Sequence, residues 1–162
     1  MELERNIEKA RKLIDSMAGA QGSRLRDICR GIRTAQDRLN HKAAPFFENC
    51  MRRCKGMCCK NIHINEIINM LDLIYILSLM PQLYGSLIPI ARKEQIFSAD
   101  CLFLQNASGP CIFPHNVKPE RCIITFCEDA APIRNEIQSV RAKFSQLSRY
   151  TKFKRPWIWA GF

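Results

Sequence analysis

Long apolar runs are absent from this sequence of 162 residues. Its most apolar region, residues 64–91, is interrupted by charged and helix-breaking residues such as Asp72 and Pro81, and only residues 73–80 are free of both. A helix that crosses a bilayer needs about 20 apolar residues, so this region predicts a buried helix that ends before Pro81 and no transmembrane segment. The charged residues 1–5 lack the pattern of a secretory signal, which favours a cytoplasmic location.

Acidic residues and glycines are scarce as well. The seven glycines form no glycine-rich fingerprint of a nucleotide-binding loop, which argues against nucleotide-dependent chemistry. Fifteen Asp and Glu against 25 Lys and Arg give a formal charge of +10, which is compatible with a nucleic-acid partner. Most of the basic residues lie in helical stretches and the tail, where a solvated helix face is the favoured interpretation. The tail, residues 150–162, mixes cations with aromatic residues and predicts either a docking segment or one that packs on the core.

Apolar residues at intervals of three and four predict helices in the first quarter of the chain. One stripe consists of Leu3, Ile7, Ala10, Ile14 and Met17, and a second consists of Leu25, Ile28, Ile32, Ala35 and Leu39. The small residues of 18–22 separate the stripes, so residues 2–42 predict two helices or one kinked helix. Each narrow stripe needs an apolar partner, which is either another helix of this chain or a second subunit.

The remaining pattern predicts a third helix and the overall architecture. Asp129 and Pro132 indicate a helix start. The stripe that follows consists of Ile137, Val140, Phe144 and Leu147. We expect a mainly α fold, in which a helical hairpin or bundle flanks a small irregular cysteine-rich metal-binding core, with a short β-hairpin within residues 101–113. The predicted segments of this single compact domain are residues 1–45, 46–130 and 131–162.

Nine cysteines carry the strongest chemical signal. In a reducing compartment, clustered cysteines bind metal or do redox chemistry more often than they form disulfides. Eight of them form two clusters, at Cys50, Cys54, Cys58 and Cys59 and at Cys101, Cys111, Cys122 and Cys127. Two sets of four match two four-ligand sites or one polynuclear centre. The ninth, Cys29, lies beside the second apolar stripe and predicts core packing.

The order of these motifs resembles the cysteine-cluster proteins of the YkgJ or CxxCxxCC family, which are described as zinc- or iron-chelating domains. Two spaced cysteines and a vicinal pair precede a helix. A Cys-x-x-Leu segment, a cysteine after a small turn and Pro119 ahead of Cys122 follow it. The resemblance covers residues 50–127 and implies the eight-cysteine ligand set without a settled activity. The sequence departs from the family pattern by one extra residue in each gap of the first cluster, and by Lys118 and Ile123 where the family carries arginines.

Metal binding is the function that these residues predict. Eight thiolates suit one or two iron-sulfur centres, including the 4Fe-4S type, which would serve electron transfer or an accessory subunit of a larger enzyme. A first alternative is a zinc-stabilised module that binds a protein or nucleic-acid partner, and a second is a metal-dependent redox or transfer enzyme. Glu120 and Glu128 are candidates for a general base only by position. We also expect a protein partner or a homo-oligomer through the heptad-like stripes.

Overall fold

The computed structural model describes residues 2–53, 67–92, 101–105, 110–126, 129–154 and 156. The described residues are mainly helical, which confirms the mainly α part of the predicted fold. The α-helices are α1 (Glu2–Ser16), α2 (Gly19–Arg53), α3 (Met70–Leu79), α4 (Tyr84–Arg92), α5 (Glu120–Ile124) and α6 (Arg134–Lys154). Short 3-10 helices at Pro81–Leu83 and Ala131–Ile133 precede α4 and α6. The β pairing in the described residues is one isolated antiparallel bridge between Leu104 and Cys111.

The predicted apolar stripes form the core. In α1 the buried residues include Leu13, while the predicted Ile14 is only half-buried. Every stripe residue predicted for α2 and α6 is buried, and Cys29 is fully buried among them, as predicted. Helix α1 packs against α3 and α4, whereas α2 packs along α6. Each stripe therefore packs against another helix of the same chain. The sequence left open whether the partner was such a helix or a second subunit.

A short break separates α1 from α2. Gly19 has φ of +56°, a left-handed conformation that glycine adopts without steric cost. A Cβ atom on Gly22 would lie 2.5 Å from the carbonyl oxygen of Met17, so the chain can turn back this closely only with glycine there. Because both glycines permit an immediate return to helix, the interruption is confined to residues 17–18, shorter than the predicted 18–22.

Helix α2 continues through Pro45 to Arg53, past the end predicted at residue 42 and past the segment boundary predicted at residue 45. Proline lacks a backbone N–H and normally ends a helix, but the apolar spacing continues beyond it. Ala43 is fully buried and Phe46 is half-buried against the core. Tertiary packing thus extends the helix, and the backbone of Cys50 lies within its last turns.

Helix α3 is the buried central helix, and it begins at a capping box. The Asn69 side-chain oxygen accepts hydrogen bonds from the backbone N–H groups of Leu71 and Asp72, while Asp72 Oδ2 accepts one from the N–H of Asn69 at 2.9 Å. The helix ends before Pro81, as predicted. Among the described residues no single helix is long and apolar enough to cross a membrane; α3 together with residues 81–92 passes that test of length and composition, but with a bend of 118°.

Candidate metal centre

Two predicted ligands, Cys101 and Cys111, lie on chain segments that pair with each other. The backbone N–H of Ile112 donates to the carbonyl oxygen of Phe103 at 2.8 Å, on the same pair of segments as the antiparallel bridge at Cys111. Phe103 and Phe113 are both buried, and their ring centroids lie 4.8 Å apart. Backbone pairing and ring packing together fix the relative positions of the two cysteines.

The thiol of Cys101 is buried, whereas that of Cys111 is half-buried, and neither forms a disulfide. Burial raises the pKa of the Cys101 thiol above its ordinary value, because the thiolate is poorly solvated there. The backbone N–H of Phe103 donates to the Cys101 sulfur and opposes this rise in pKa, while a Cys111 thiolate adds to it. A cation at this position would favour both thiolates and relieve their mutual repulsion.

The chain between Cys111 and Cys122 is held against α2 and α3 by four side chains, which we term the anchoring residues: Gln36, Asn40, Asp72 and Tyr75. Each of them makes a hydrogen bond to a backbone atom of residues 115–120, the anchored segment. Gln36 is fully buried and bonds Lys118 twice: its Nε2 donates to the Lys118 carbonyl at 2.8 Å, and its Oε1 accepts from the Lys118 N–H at 3.0 Å. Asn40, one turn later on α2, donates to the His115 carbonyl at 2.8 Å.

Asp72 connects the start of α3 to the start of α5. Its side chain is fully buried, and Oδ1 accepts a hydrogen bond from the backbone N–H of Glu120 at 2.8 Å while Oδ2 accepts from Asn69. Burial raises the pKa of Asp72 to about 7, against the two N–H donors, which favour the carboxylate. The same burial raises the pKa of Glu120, and the positive charges of Arg141 and Arg121 oppose that rise. One buried carboxylate therefore fixes the first residue of the helix that carries Cys122.

Cys122 lies on the exposed side of the short helix α5. Ile123, the next residue, is buried and fixes the orientation of the helix. At the end of α5 the hydroxyl of Thr125 donates to the carbonyl of Arg121 at 2.7 Å. The departure from the family pattern at Ile123 thus has a structural role here, because this side chain packs in the core.

An aromatic contact brings the end of the second cysteine segment to the end of α2. Phe126, which precedes Cys127 in sequence, lies 5.9 Å from Phe46 and 5.6 Å from Phe47 between ring centroids. Phe46 and Phe47 are the residues of α2 that precede Cys50 by about one helical turn. Sequence neighbours of one ligand from each cluster therefore meet at this contact.

The structure describes part of the predicted ligand set. Cys101, Cys111 and Cys122 are described with their side chains, and Cys50 by its backbone alone. Outside the described residues lie Cys54, Cys58, Cys59 and Cys127. Within the described ranges, no group of three or more His, Cys, Asp or Glu side chains is placed to hold a metal ion. Of the predicted ligands, the described residues thus bring Cys101 and Cys111 close together, on paired chain segments.

None of the predicted motifs includes the hydrogen bonds of the anchoring residues. Two signals were available: Asn69 and Asp72 stand three residues apart ahead of an apolar run, as in a capping box, and Gln36 interrupts an otherwise apolar helix face. A buried polar side chain needs a hydrogen-bond partner, so each signal indicates a contact. Neither signal indicates the partner, because the partners are backbone groups 82 residues away for Gln36 and 48 residues away for Asp72.

Comparisons with known proteins gave no relative for this chain: no family model, curated protein or solved structure matches it.

Proposed function

We propose that this chain binds one or two iron-sulfur centres and that it serves electron transfer or acts as an accessory subunit of a larger enzyme. The proposed ligands are Cys50, Cys54, Cys58, Cys59, Cys101, Cys111, Cys122 and Cys127. The resemblance of their order to the YkgJ or CxxCxxCC family supports this ligand set. A cytoplasmic location belongs to the proposal, because a reducing compartment keeps the thiols available for metal.

The observation that carries the proposal is the contact of Phe126 with Phe46 and Phe47. Cys50 follows Phe46 by four residues, a rise of about 6 Å along α2, and Cys127 follows Phe126 directly. A polynuclear centre needs thiolates from distant parts of the sequence at one place. A contact between the sequence neighbours of both clusters supports such a convergence, while α2 and the anchored segment hold the two sides.

The surroundings of Cys101 fit an iron-sulfur centre in two respects. Burial and hydrogen bonds to the sulfur atoms are among the features by which a protein sets the reduction potential of a cluster. Cys101 is buried, and its sulfur accepts a backbone N–H from Phe103. The pairing of residues 103–105 with 110–112 fits the predicted short hairpin, which would present Cys101 and Cys111 to the metal.

The first experiment is elemental analysis with an absorption spectrum on protein purified without oxygen. We expect iron with acid-labile sulfide and a broad visible band, because iron-sulfur clusters absorb in the visible range. Colourless protein that contains zinc instead would contradict the iron-sulfur proposal and support the zinc-stabilised module. Turnover of a substrate by the loaded protein would support the metal-dependent enzyme.

Cysteine variants then test the ligand set. We expect Cys111→Ser and Cys122→Ser to lower the metal content per chain substantially, because serine does not replace a thiolate for a soft metal. Cys29→Ala is the matched control, since it removes a cysteine that is buried in the helical core and should leave the metal content unchanged. Equal metal content in all four proteins would exclude Cys111 and Cys122 from the ligand set.

A further inference from the structure

The positive charge of this protein is concentrated on two helices. Helix α2 carries eight Lys and Arg against three Asp and Glu, and α6 carries six against one. Their combined excess equals the formal charge of +10 of the whole chain. By contrast, α1 contains four basic and four acidic residues, and the region from α3 to α4 contains one of each. The rest of the chain is therefore neutral in sum.

The two basic helices share one surface because they pack against each other in antiparallel orientation. Lys42 of α2 forms an ion pair with Glu136 near the start of α6. Further along, the side chain of Lys143 of α6 lies against Gly31 of α2. Its Cδ lies 3.7 Å from the point that a Cβ atom added to Gly31 would occupy. An increase in residue number on α6 thus accompanies a decrease on α2, and the two basic helices lie side by side along one seam.

Three cations follow this seam, and we term them the basic row: Arg24, Arg38 and Lys143. Arg24, Gly31 and Arg38 are spaced by seven residues, or about two helical turns, so they share one face of α2. Lys143 reaches this face at Gly31, midway between the two arginines. Arg24 and Arg38 are exposed, and the row covers about 21 Å along the helix axis.

Acidic residues do little to neutralise this surface. Of the four acidic residues on α2 and α6, Asp27 is engaged by Arg30 at 3.1 Å, and Glu136 by Lys42. On α6 the exposed positions between the cations include the uncharged polar residues Gln138, Ser139 and Ser145. A surface of cations and small hydroxyl or amide groups with few carboxylates is typical of sites that contact a sugar-phosphate backbone.

From this arrangement we infer that the outer surface of the α2–α6 pair binds the phosphate backbone of a nucleic-acid duplex. Both members of the basic row on α2 are arginines, whose planar guanidinium groups bind phosphate through two parallel hydrogen bonds. Single-stranded nucleic acid is normally bound by bases stacked on exposed aromatic rings. In the described part of the chain, the exposed large apolar side chain is Phe153, near the C-terminal end of α6, and one ring supplies neither a platform for successive bases nor an apolar face for a membrane.

Binding measured by fluorescence anisotropy tests this inference on the full chain, purified without oxygen and with its metal content recorded. The probes are a 20-base-pair DNA duplex, an RNA duplex, a single strand and polyglutamate, each titrated at several salt concentrations. We expect duplex binding that weakens steeply with salt. The variant with Arg24→Gln, Arg38→Gln and Lys143→Gln should bind the duplex about tenfold or more weakly, and its slope of log affinity against log salt should fall by about three.

The matched control also removes three positive charges, but from α1, whose charges sum to zero. Its substitutions are Arg5→Gln, Lys9→Gln and Lys12→Gln. It should retain the affinity and the salt slope of the unchanged protein for the duplex. An equal loss in both triple variants would show that net charge alone drives binding and would overturn the inference, as would a preference for the single strand or for polyglutamate, or no binding at low salt. Binding to either duplex supports it, and the result is independent of which metal the cysteines hold.

Discussion

Two regions of this protein are stabilised by different interactions. The helices are held by apolar side chains at regular spacing, so that α1 packs on α3 and α4 and α2 packs on α6. The anchored segment, residues 115–120, has almost no regular structure of its own and is held by side-chain hydrogen bonds to its backbone. The first region depends on many interchangeable contacts, and the second depends on a few specific ones.

This difference matters for the proposed centre, because the anchored segment lies between Cys111 and Cys122. Metal ligands need positions fixed to a fraction of an ångström, and side chains on rigid helices provide such positions better than loops do. The helices are rigid, and the hydrogen bonds of Gln36, Asp72 and Tyr75 hold the backbone of the anchored segment in a fixed position against them. If the proposed centre forms, its ligand geometry would depend on the anchoring residues as well as on the cysteines.

The largest expected effect comes from Tyr75, which belongs to both regions. Its ring is fully buried and packs edge to face on Phe144 with centroids 5.4 Å apart, while its hydroxyl donates to the Asn116 carbonyl at 2.9 Å. We expect Tyr75→Ala to lower the free energy of unfolding by about 3–5 kcal/mol, because it leaves a cavity between α3 and α6. Urea titration followed by circular dichroism measures this loss.

Tyr75→Phe separates the two contributions at this residue. It keeps the ring and removes only the hydrogen bond to the anchored segment, so we expect a loss of about 1 kcal/mol. If the two variants lose equal stability, the hydrogen bond of Tyr75 contributes more than the packing of its ring. That result would contradict the claim that apolar packing is the main stabilising interaction of the helices.

A second expected effect is a dependence of stability on pH through Asp72. Its pKa rises from 3.8 to about 7 on folding, so the folded protein retains the proton to higher pH than the unfolded chain does. The free energy of unfolding should therefore fall as pH rises from about 4 to about 7, by about 3 kcal/mol from this group. Asp72→Asn should flatten the profile, whereas Glu120→Gln, at a half-buried carboxyl with a smaller rise in pKa, should leave most of the slope. An unchanged slope in Asp72→Asn would contradict this assignment.

The sequence predicted the helical region well because its information is periodic. The stripes of α1, α2 and α6, the burial of Cys29 and the end of the central helix before Pro81 are all present in the structure. The end of α2 was predicted at residue 42 and was wrong, because Ala43 and Phe46 continue the spacing of three and four beyond it. Local propensity was outweighed there by packing, which depends on residues far along the chain.

The candidate site was less predictable for a related reason. Spacing between cysteines indicates that they act together, but positions within a site depend on contacts between distant residues. Gln36 and Lys118, or Phe46 and Phe126, are 80 or more residues apart, and nothing in either local sequence indicates the other. A polar residue on a buried face indicates that some partner exists, and only the fold identifies it.

The smallest expected effect compares two anchoring residues on α2. Gln36→Leu removes both hydrogen bonds to Lys118 in a fully buried place and should lower the free energy of unfolding by about 2 kcal/mol, because the Lys118 N–H and carbonyl lose their partners away from water. Asn40→Ala should cost about 1 kcal/mol or less, since its single bond to His115 is exposed and water replaces it. Hydrogen exchange gives a local readout: the Lys118 amide should exchange faster in Gln36→Leu and remain protected in Asn40→Ala. Equal protection in both variants would mean that the anchored segment keeps its position without Gln36, and that the apolar contacts on either side of it are sufficient.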